Sequence, residues 1–359
     1  MTLSPRENFL RALRREGFEW TPIDAWFCDS KIQDFLTNYG HKDYKSFLTL
    51  DHRWVNIREK AGSNNPAAFY KNENLPDTTE FDVWGIGHSK GSAAAFHMTR
   101  MHHPLKGVDD AEMIANYPLP SFSITENQSM VNAVKELHGN GLAVISDLQM
   151  TIWEISWYLR SMEELIMDIM MGDEKATILL DRTTEYACEK ARFYARANVD
   201  VLSLGDDIGT QAGPMISMEM WEQWFKPRHK KVIEAAREIK PDILIFYHSC
   251  GHYTPFIDGL LEIGVDILNP IQPECMNFNE VHQQYGDRAS FWGTLGSQQL
   301  LPFGSKEEIR DEVRSRITTC GEKGGIVLGP SHLVEPEVPL DNIFYMMNAA
   351  RELYPRKTR

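Results

Sequence analysis

The chain has 359 residues, 42% of them hydrophobic and 25% charged, a balance typical of a globular enzyme rather than of a disordered protein. Lysine and arginine number 37 against 51 aspartates and glutamates, and the formal net charge of −14 opposes nonspecific contact with nucleic acid or an anionic membrane. No apolar run approaches the about 20 residues of a membrane span, and the N-terminus lacks the apolar core of a signal peptide, so we expect a cytoplasmic protein.

The first predicted element is a helix that begins directly after Ser4. In the stretch SPRE, Ser4 takes the N-cap position, Pro5 the first helical position and Glu7 the third, which is the pattern of a capping box. The amphipathic pattern that follows continues to Gly17. We therefore expect a surface helix at the start of a folded domain.

A strand pair is predicted next, in the aromatic and glycine-rich stretch from Phe81 to Leu105. A turn that contains glycine is expected to join the two strands. His97, His102 and His103 fall in this stretch, and three histidines invite a metal hypothesis. Adjacent residues of a strand point to opposite faces, however, so we do not expect these histidines to be metal ligands.

From Gly141 onward, short apolar runs alternate with longer stretches of helical pattern. The runs read LAVISDL, VDVLSLG, DILIFYH, VDILNP, ASFWGTLG and GIVLGP. This alternation is typical of a parallel sheet, and so many units in series favour a single (β/α)8 (TIM) barrel of the α/β class over a doubly wound open sheet. Because such barrels can hold several hundred residues in one domain, we expect residues 1–359 to form one barrel domain with an N-terminal helical and hairpin extension.

A barrel gathers its catalytic groups at the carboxyl ends of its strands, whereas the opposite face mainly serves stability. We therefore expect the polar residues that follow the apolar runs to meet at one rim. They are Asp206, Asp207, His248, Cys250, Gln272, Glu274, Cys275, Thr294, Gln298, Ser331 and His332. Cys320 ends a helical stretch instead, and we expect it near the opposite face.

The stretch YHSCG, at Tyr247–Gly251, carries the clearest chemical signal. The cysteines of the chain are odd in number and scattered, which favours thiol or metal chemistry over a disulfide framework. Residues two apart in an extended segment point the same way, so His248 and Cys250 can both approach one zinc ion at about 2.0–2.3 Å. The third ligand is open between His332, Cys275 and a strand-end carboxylate, with His332 preferred. Alternatively, Cys250 is a buried apolar residue and His248 a hydrogen-bonded core residue.

Asp206 and Asp207 form a carboxylate pair in GDDIGTQAGP and are the predicted catalytic residues. A carboxyl group there can act as a general acid, bind a metal ion, or orient a histidine by accepting its ring N–H. The alternative for such a residue beside glycines is a helix cap or an Asx-turn. We expect that alternative for one of the two.

Together these residues give the chain a resemblance to the uroporphyrinogen decarboxylase superfamily, particularly to its branch of corrinoid-dependent methyltransferases. The resemblance extends over nearly the whole length and is more specific for the superfamily than for the reaction. It rests on SPRENFLRALRREG, HPL with YPLP, GDDIGTQAGPMISMEMWEQWFKPRHKKVI, YHSCGHYTPFIDGLLEIGVDILNPIQPECMN, FWGTLGSQQLLPFGSKEEIRDEV and GGIVLGPSHLVEPEVPLDNI.

The resemblance implies a single barrel, often dimeric, that works with a small methyl donor or acceptor and with a corrinoid (cobalamin) carried on a partner protein. It also implies a zinc site made by a His-x-Cys pair, which matches His248 and Cys250, and by a ligand after the last strand. That ligand is usually cysteine in members that methylate thiols, and His332 of GPSH is the nearest equivalent here. Since histidine leaves the zinc more electrophilic than thiolate does, we expect demethylation of a methoxy compound (O-demethylation) rather than thiol methylation.

Uroporphyrinogen decarboxylation is the weaker expectation. In the decarboxylases of this superfamily, an arginine-rich segment after the first strand binds the substrate carboxylates. The corresponding stretch here, PIDAWFCDSKIQDF, offers only Lys31. A polycarboxylate would be poorly compensated by a chain of net charge −14. A metal-dependent hydrolase and a noncatalytic corrinoid-binding protein are further alternatives.

Overall fold

The computed structural model describes residues 3–70, 73–91 and 99–354. In this part of the chain the strands are β1 (His52–Val55), β2 (Glu80–Phe81), β3 (Gly87–Lys90), β4 (Thr99–His102), β5 (Ala143–Gln149), β6 (Val201–Gly205), β7 (Leu244–His248), β8 (Ile267–Asn269), β9 (Ser290–Trp292) and β10 (Ile326–Val327). All the apolar runs predicted from Gly141 onward form strands, β5 to β10.

The α-helices of the same residues alternate with these strands. They are α1 (Pro5–Leu13), α2 (Asp29–Tyr39), α3 (Tyr44–Phe47), α4 (Ala111–Ala115), α5 (Gln128–Gly139), α6 (Trp153–Arg160), α7 (Met162–Met171), α8 (Glu174–Arg196), α9 (Met218–Met220), α10 (Lys226–Arg237), α11 (Ile257–Glu262), α12 (Phe278–Tyr285), α13 (Leu300–Phe303), α14 (Lys306–Cys320) and α15 (Leu340–Leu353). Within the described ranges, no helix has both the length and the apolar character that a membrane-spanning helix needs.

Seven strands form one curled parallel sheet in the order β1, β5, β6, β7, β8, β9 and β10. An extended segment at residues 22–24 lies along β10, where the Asp24 amide donates to Leu328 O at 2.8 Å and the Leu328 amide donates to Pro22 O at 2.9 Å. On its other side, Oδ1 of Asp24 is 3.2 Å from Nε2 of His52 in β1. The segment therefore lies between the two edge strands, and the fold is of the predicted TIM-barrel type.

Helix α1 packs across the amino-terminal end of the barrel. It begins at the predicted capping box, in which the Ser4 hydroxyl accepts from the Glu7 amide, and it ends at Leu13, before the predicted boundary. Arg15 has a φ of 59°, which takes the chain out of the helix. The α1 residues and the inward-facing strand residues form one apolar cluster: Phe9, Leu10, Leu13, Ala143, Ile145, Val201, Leu244, Phe246, Ile267, Trp292 and Val327. The carboxyl end of the barrel is therefore the end at which a site can open.

A small antiparallel sheet, in the order β2, β3, β4, precedes most of the barrel in the chain. The predicted strand pair is confirmed as β3 and β4, whereas the turn between them and His97 lie outside the described residues. Nδ1 of His102 is 2.7 Å from Glu73 Oε1, and Nδ1 of His103 donates to Tyr158 O at 2.8 Å. Both described histidines thus have local hydrogen-bond partners.

The strand register places the loops after β6 and β7 next to each other. Gly205 pairs with His248, and His248 pairs with Asn269. A Cβ atom on Gly205 would lie 2.7 Å from Cβ of His248. Glycine at position 205 therefore permits the close approach of the two strand ends on which the rim depends.

Candidate metal centre

Three side chains that can bind a metal ion converge at the carboxyl ends of β6 and β7. Sγ of Cys250 lies 3.4 Å from Nε2 of His248, and the same nitrogen lies 3.6 Å from Oδ1 of Asp207. One ligand atom from each residue lies within 4.8 Å of the other two. The predicted His-x-Cys pair thus shares one position at the rim with a strand-end carboxylate.

The two loops that carry these residues are held together by a hydrogen bond and by a close approach of their backbones. The Cys250 amide donates to Oδ1 of Asp207 at 2.7 Å. Gly251 has a φ of 79°, and a Cβ atom there would lie 2.6 Å from the backbone carbon of Gly209. Only glycine fits this approach without strain, so the glycines of GDDIG and SCG hold Cys250 beside Asp207.

A hydrogen-bond chain fixes the orientation of the His248 ring. Nδ2 of Asn269 donates to Trp292 O at 2.8 Å, so Oδ1 of Asn269 is the atom that accepts from Nδ1 of His248, at 2.6 Å. In the neutral ring, Nε2 then carries a lone pair that faces Cys250 and Asp207. This is the arrangement in which a protein histidine binds a metal ion, with its other nitrogen donating to an oxygen.

His332 lines the same cleft as His248. The interaction of its ring with the Cys250 thiol raises the pKa of His332 above its ordinary value. Burial raises the pKa of Cys250, and the His332 contact opposes that rise. His332 is not part of the group of three, and neither is Cys275, whose thiol is 3.6 Å from Gln272 O.

Asp206 serves to hold the fold together, whereas its neighbour Asp207 belongs to the rim group. Its carboxylate is fully buried and accepts from the amides of Ile152 at 3.0 Å and Glu154 at 2.9 Å, at the start of α6. It also accepts from Nε2 of His229 at 2.8 Å. The carboxylate therefore caps α6, which is the alternative that the sequence offered for one of the pair, and it orients a histidine of the core rather than one at the rim.

Glu154 is a residue of the site that sequence reasoning missed. Its Oε2 accepts from the Asp207 amide at 3.1 Å, and its Oε1 accepts from the Tyr158 hydroxyl at 2.9 Å. Burial, and then the charges of Asp207 and Asp206, raise the pKa of Glu154 from 4.5 to about 8. Its only sequence signal was a position shortly after β5, and an acidic residue in the first turn of a helix is too common to single out.

The raised pKa of Glu154 predicts a pH-dependent stability. The unfolded chain ionises this group near its ordinary value of 4.5, whereas the folded chain keeps the proton until about pH 8. The free energy of unfolding should therefore fall as pH rises through this window and level off above it. For metal-free protein, we expect Glu154→Gln to remove about 3.5 kcal/mol of this decline, measured by urea unfolding between about pH 5 and about pH 8. Parallel pH profiles for the two proteins would contradict the assignment.

Other predicted rim residues stabilise the loops of the site. Oε1 of Gln272 accepts from the Gly251 amide at 3.1 Å, and Oε1 of Glu274 accepts from the Gln298 amide at 3.2 Å. Cys320 is buried at the end of α14, away from these loops in the chain. The rim therefore combines candidate ligands with side chains that fix the backbone around them.

Comparison with known proteins places these observations in a family context. The sequence model of the family described as uroporphyrinogen decarboxylase (URO-D) matches residues 99–353. A solved structure of a methyltransferase from Methanosarcina mazei superposes with a TM-score of 0.68 at 17% identity, covering 98% of this chain and 99% of that one. At this identity the structural likeness supports the fold alone.

Curated relatives include proteins with different names. A methylated-thiol–coenzyme M methyltransferase of Methanosarcina mazei is 23% identical over 231 residues, which cover 62% of this chain and 58% of that protein. A methylcobamide:CoM methyltransferase of Methanosarcina acetivorans is 19% identical over 355 residues, covering 97% and 98%. A uroporphyrinogen decarboxylase of Nostoc punctiforme is 26% identical over 190 residues, covering 51% and 50%. The chain thus spans between half and nearly all of the length of these relatives.

Proposed function

The chain belongs to the uroporphyrinogen decarboxylase family, as its sequence predicted, and from this premise we propose that it is a zinc-dependent, corrinoid-dependent methyltransferase. It moves a methyl group between a small methoxy compound and a corrinoid carried on a partner protein. The similarity to a methylcobamide:CoM methyltransferase over 97% of the chain supports a methyl-transfer reaction. The observation that carries the proposal is the convergence of His248, Cys250 and Asp207 within 4.8 Å.

The donor set fits zinc. Imidazole nitrogen, thiolate sulfur and carboxylate oxygen are its usual protein ligands, and a catalytic site uses three of them and leaves a position for the substrate. We assign these roles to His248, Cys250 and Asp207. A zinc ion held there would supply Lewis acidity, which polarises the oxygen of a methoxy group. Asn269 keeps Nδ1 of His248 occupied, so that only Nε2 is available to the ion.

His332 and Glu154 complete the chemistry around these ligands. Loss of the methyl group would leave an anionic oxygen on the substrate. We assign the return of a proton to that oxygen to His332, which lines the cleft beside the centre and has a raised pKa. Glu154, with a pKa of about 8, is neutral at pH 7 and adds no second negative charge beside Asp207. We therefore assign the proton transfer to His332 and not to Asp206, whose carboxylate caps α6.

The environment of Lys31 gives little support to the decarboxylase alternative. This lysine is the one cation that the sequence offers in the segment expected to bind substrate carboxylates. Lys31 is buried, and its Nζ donates to Pro336 O at 2.9 Å and contacts Asp34 at 3.3 Å. Lys31 is therefore engaged by a neighbouring carboxylate and by a backbone carbonyl near the C-terminus, and it is not available to neutralise substrate carboxylates.

A three-way turnover assay tests the proposed reaction. Zinc-loaded and zinc-free protein would be offered a methoxy compound with a reduced corrinoid protein, a thiol with methylcobalamin, and uroporphyrinogen. We expect methyl-corrinoid to form only from the methoxy compound and only with zinc. Carbon dioxide release from uroporphyrinogen without zinc would replace the proposal with decarboxylation, and faster thiol methylation would reverse the assigned direction.

The third ligand can be tested separately by metal affinity. We expect Asp207→Asn to weaken zinc binding by more than about 100-fold, because a ligand should matter at least as much as the groups that orient it. His332→Ala should bind zinc almost as wild type does but should turn over more slowly. Competition with a zinc chelator measures the affinities, and Glu274→Gln provides a rim carboxylate outside the group as control. Loss of zinc from His332→Ala with retention by Asp207→Asn would restore the sequence prediction of His332 as third ligand.

A further inference from the structure

We infer that the cleft beside the candidate metal centre binds one flat, uncharged aromatic ring, so that the methylated substrate is an aryl methyl ether. This inference rests on the proposed function for the methyl group, but the ring site is argued from the cleft alone. The cleft, called the aromatic cleft below, has a volume of about 160 Å³. Its lining includes Trp26, Trp54, Phe246, Trp292, His248 and His332.

The aromatic side chains form a rigid, mostly perpendicular set around the cleft. Trp54 lies edge to face against Phe246, with ring centroids 6.0 Å apart, and against Trp292 at 6.2 Å. Phe246 and Trp292 meet at 5.2 Å with an interplanar angle of 88°. Trp26 stacks on Trp54 at 6.1 Å and is 47% exposed, so it forms the outer lip. Walls of this kind offer faces and edges to another aromatic ring.

Hydrogen bonds through Asp24 fix the position of Trp292, one of these rings. Nε1 of Trp292 donates to Oδ2 of Asp24 at 2.9 Å, while Oδ1 of Asp24 accepts from the Ala25 amide at 2.8 Å and faces Nε2 of His52 at 3.2 Å. Both oxygens of this carboxylate, which also lines the cleft, are therefore engaged with the protein. The rings are positioned before any ligand arrives, which reduces the entropy lost on binding.

The size of the cleft suits a single ring. An apolar cavity of roughly 150 Å³ accommodates benzene, so a cleft of about 160 Å³ has room for one substituted ring. His248 and His332 line the same cleft. A ring bound in the cleft would therefore lie beside the candidate metal centre, within reach of its methoxy substituent.

The charge of the cleft selects an uncharged ligand. Among the described residues that line it there is no lysine or arginine, so a sulfonate or carboxylate on the side of the ring away from His332 and the metal centre would lack a counter-ion. A cationic ligand would meet the aromatic faces, which attract ammonium groups. However, the Asp24 carboxylate is already hydrogen-bonded to Trp292 and Ala25 and is not free to pair with a cationic ligand. The proposed metal cation beside the imidazoles would also repel such a ligand. The cleft therefore favours an uncharged ring over a cationic or an anionic ligand.

Calorimetric titration of the full chain tests the aromatic cleft, in zinc-free and in zinc-loaded protein. The probes are methoxybenzene, methoxycyclohexane, 2-mercaptoethanesulfonate and tetramethylammonium. We expect methoxybenzene to bind at least about fivefold more tightly than methoxycyclohexane, and both Trp54→Leu and the exposed Trp26→Leu to abolish that preference. Phe303→Leu, which alters an aromatic residue that is 73% exposed and does not line the cleft, is the control.

The outcomes separate this inference from the proposed function. Equal binding of the two ethers, tighter binding of the sulfonate or of tetramethylammonium, or no binding at all would overturn the aromatic cleft. Binding of methoxybenzene to both forms without methyl transfer would instead uphold the ring site and overturn the proposed reaction. Because Trp26 is largely outside the core, its variant remains informative even if Trp54→Leu fails to fold.

Discussion

Replacement of Cys250 by alanine is expected to release zinc and to slow methyl transfer by about a thousandfold or more. The thiolate is the softest of the three proposed ligands, and its removal leaves His248 and Asp207, which lie 3.6 Å apart, without their common partner. Polarisation of a methoxy oxygen by zinc at the proposed centre would contribute several kcal/mol to the reaction, and each about 1.4 kcal/mol corresponds to a factor of ten in rate. Elemental analysis of protein purified without added metal, together with single-turnover kinetics, measures both effects.

The chain provides matched controls for this experiment. Cys275→Ala removes a half-buried thiol from the next loop of the rim, and His252→Ala removes an imidazole whose Nδ1 donates to Cys275 O at 2.9 Å. Neither belongs to the group of three, so both variants should keep zinc. His248→Ala should behave as Cys250→Ala does. If Cys250→Ala retains stoichiometric zinc and normal turnover, the proposed centre is wrong and the thiol is a packing residue.

Replacement of Asp206 by alanine should cause the largest loss of stability, about 3–5 kcal/mol in the free energy of unfolding. The change removes the acceptor of two amides at the start of α6 and leaves His229 without the carboxylate that it contacts at 2.8 Å. All these groups are buried, so water cannot replace the lost bonds. Urea unfolding monitored by circular dichroism measures the change.

A surface carboxylate gives the comparison for Asp206. Asp258 is 63% exposed and pairs with Arg288 at 2.8 Å, so Asp258→Ala should cost less than about 1 kcal/mol. Asp206→Asn keeps the shape of the side chain and helps to separate folding from catalysis. A variant that folds with wild-type stability and keeps zinc but loses turnover would return Asp206 to the catalytic role first predicted for it.

The later strands could be predicted because each is a run of apolar residues bounded by helical pattern, as in LAVISDL and DILIFYH. The start of the barrel could not. Strand β1 has only four residues and reads HRWV, and the segment at residues 22–24 joins the sheet through a single bridge at Ile23. Such short and partly polar strands depend on neighbours that are distant in the sequence. The pattern therefore predicted a barrel without locating its first two strands.

In the candidate site, too, some features can be predicted from neighbouring residues in the sequence, whereas others depend on residues far away in the chain. The approach of His248 and Cys250 follows from their spacing at a strand end, and the structure has them 3.4 Å apart. The roles of the adjacent Asp206 and Asp207 depend on α6 and on the loop after β7, which no local pattern reveals. The raised pKa of Glu154 is likewise a property of burial and of neighbouring charges.

Helix α1, packed across the amino-terminal end of the barrel, has a kinetic consequence. With that end filled by Phe9, Leu10 and Leu13, small molecules reach His248 from the carboxyl rim, and the proposed corrinoid-bearing protein would dock on the same side. The docked carrier protein would then cover the opening of the cleft and prevent the small molecule from leaving. For the proposed reaction this arrangement implies a compulsory order, in which the ether would bind before the protein carrier and the demethylated product would leave only after the carrier dissociates.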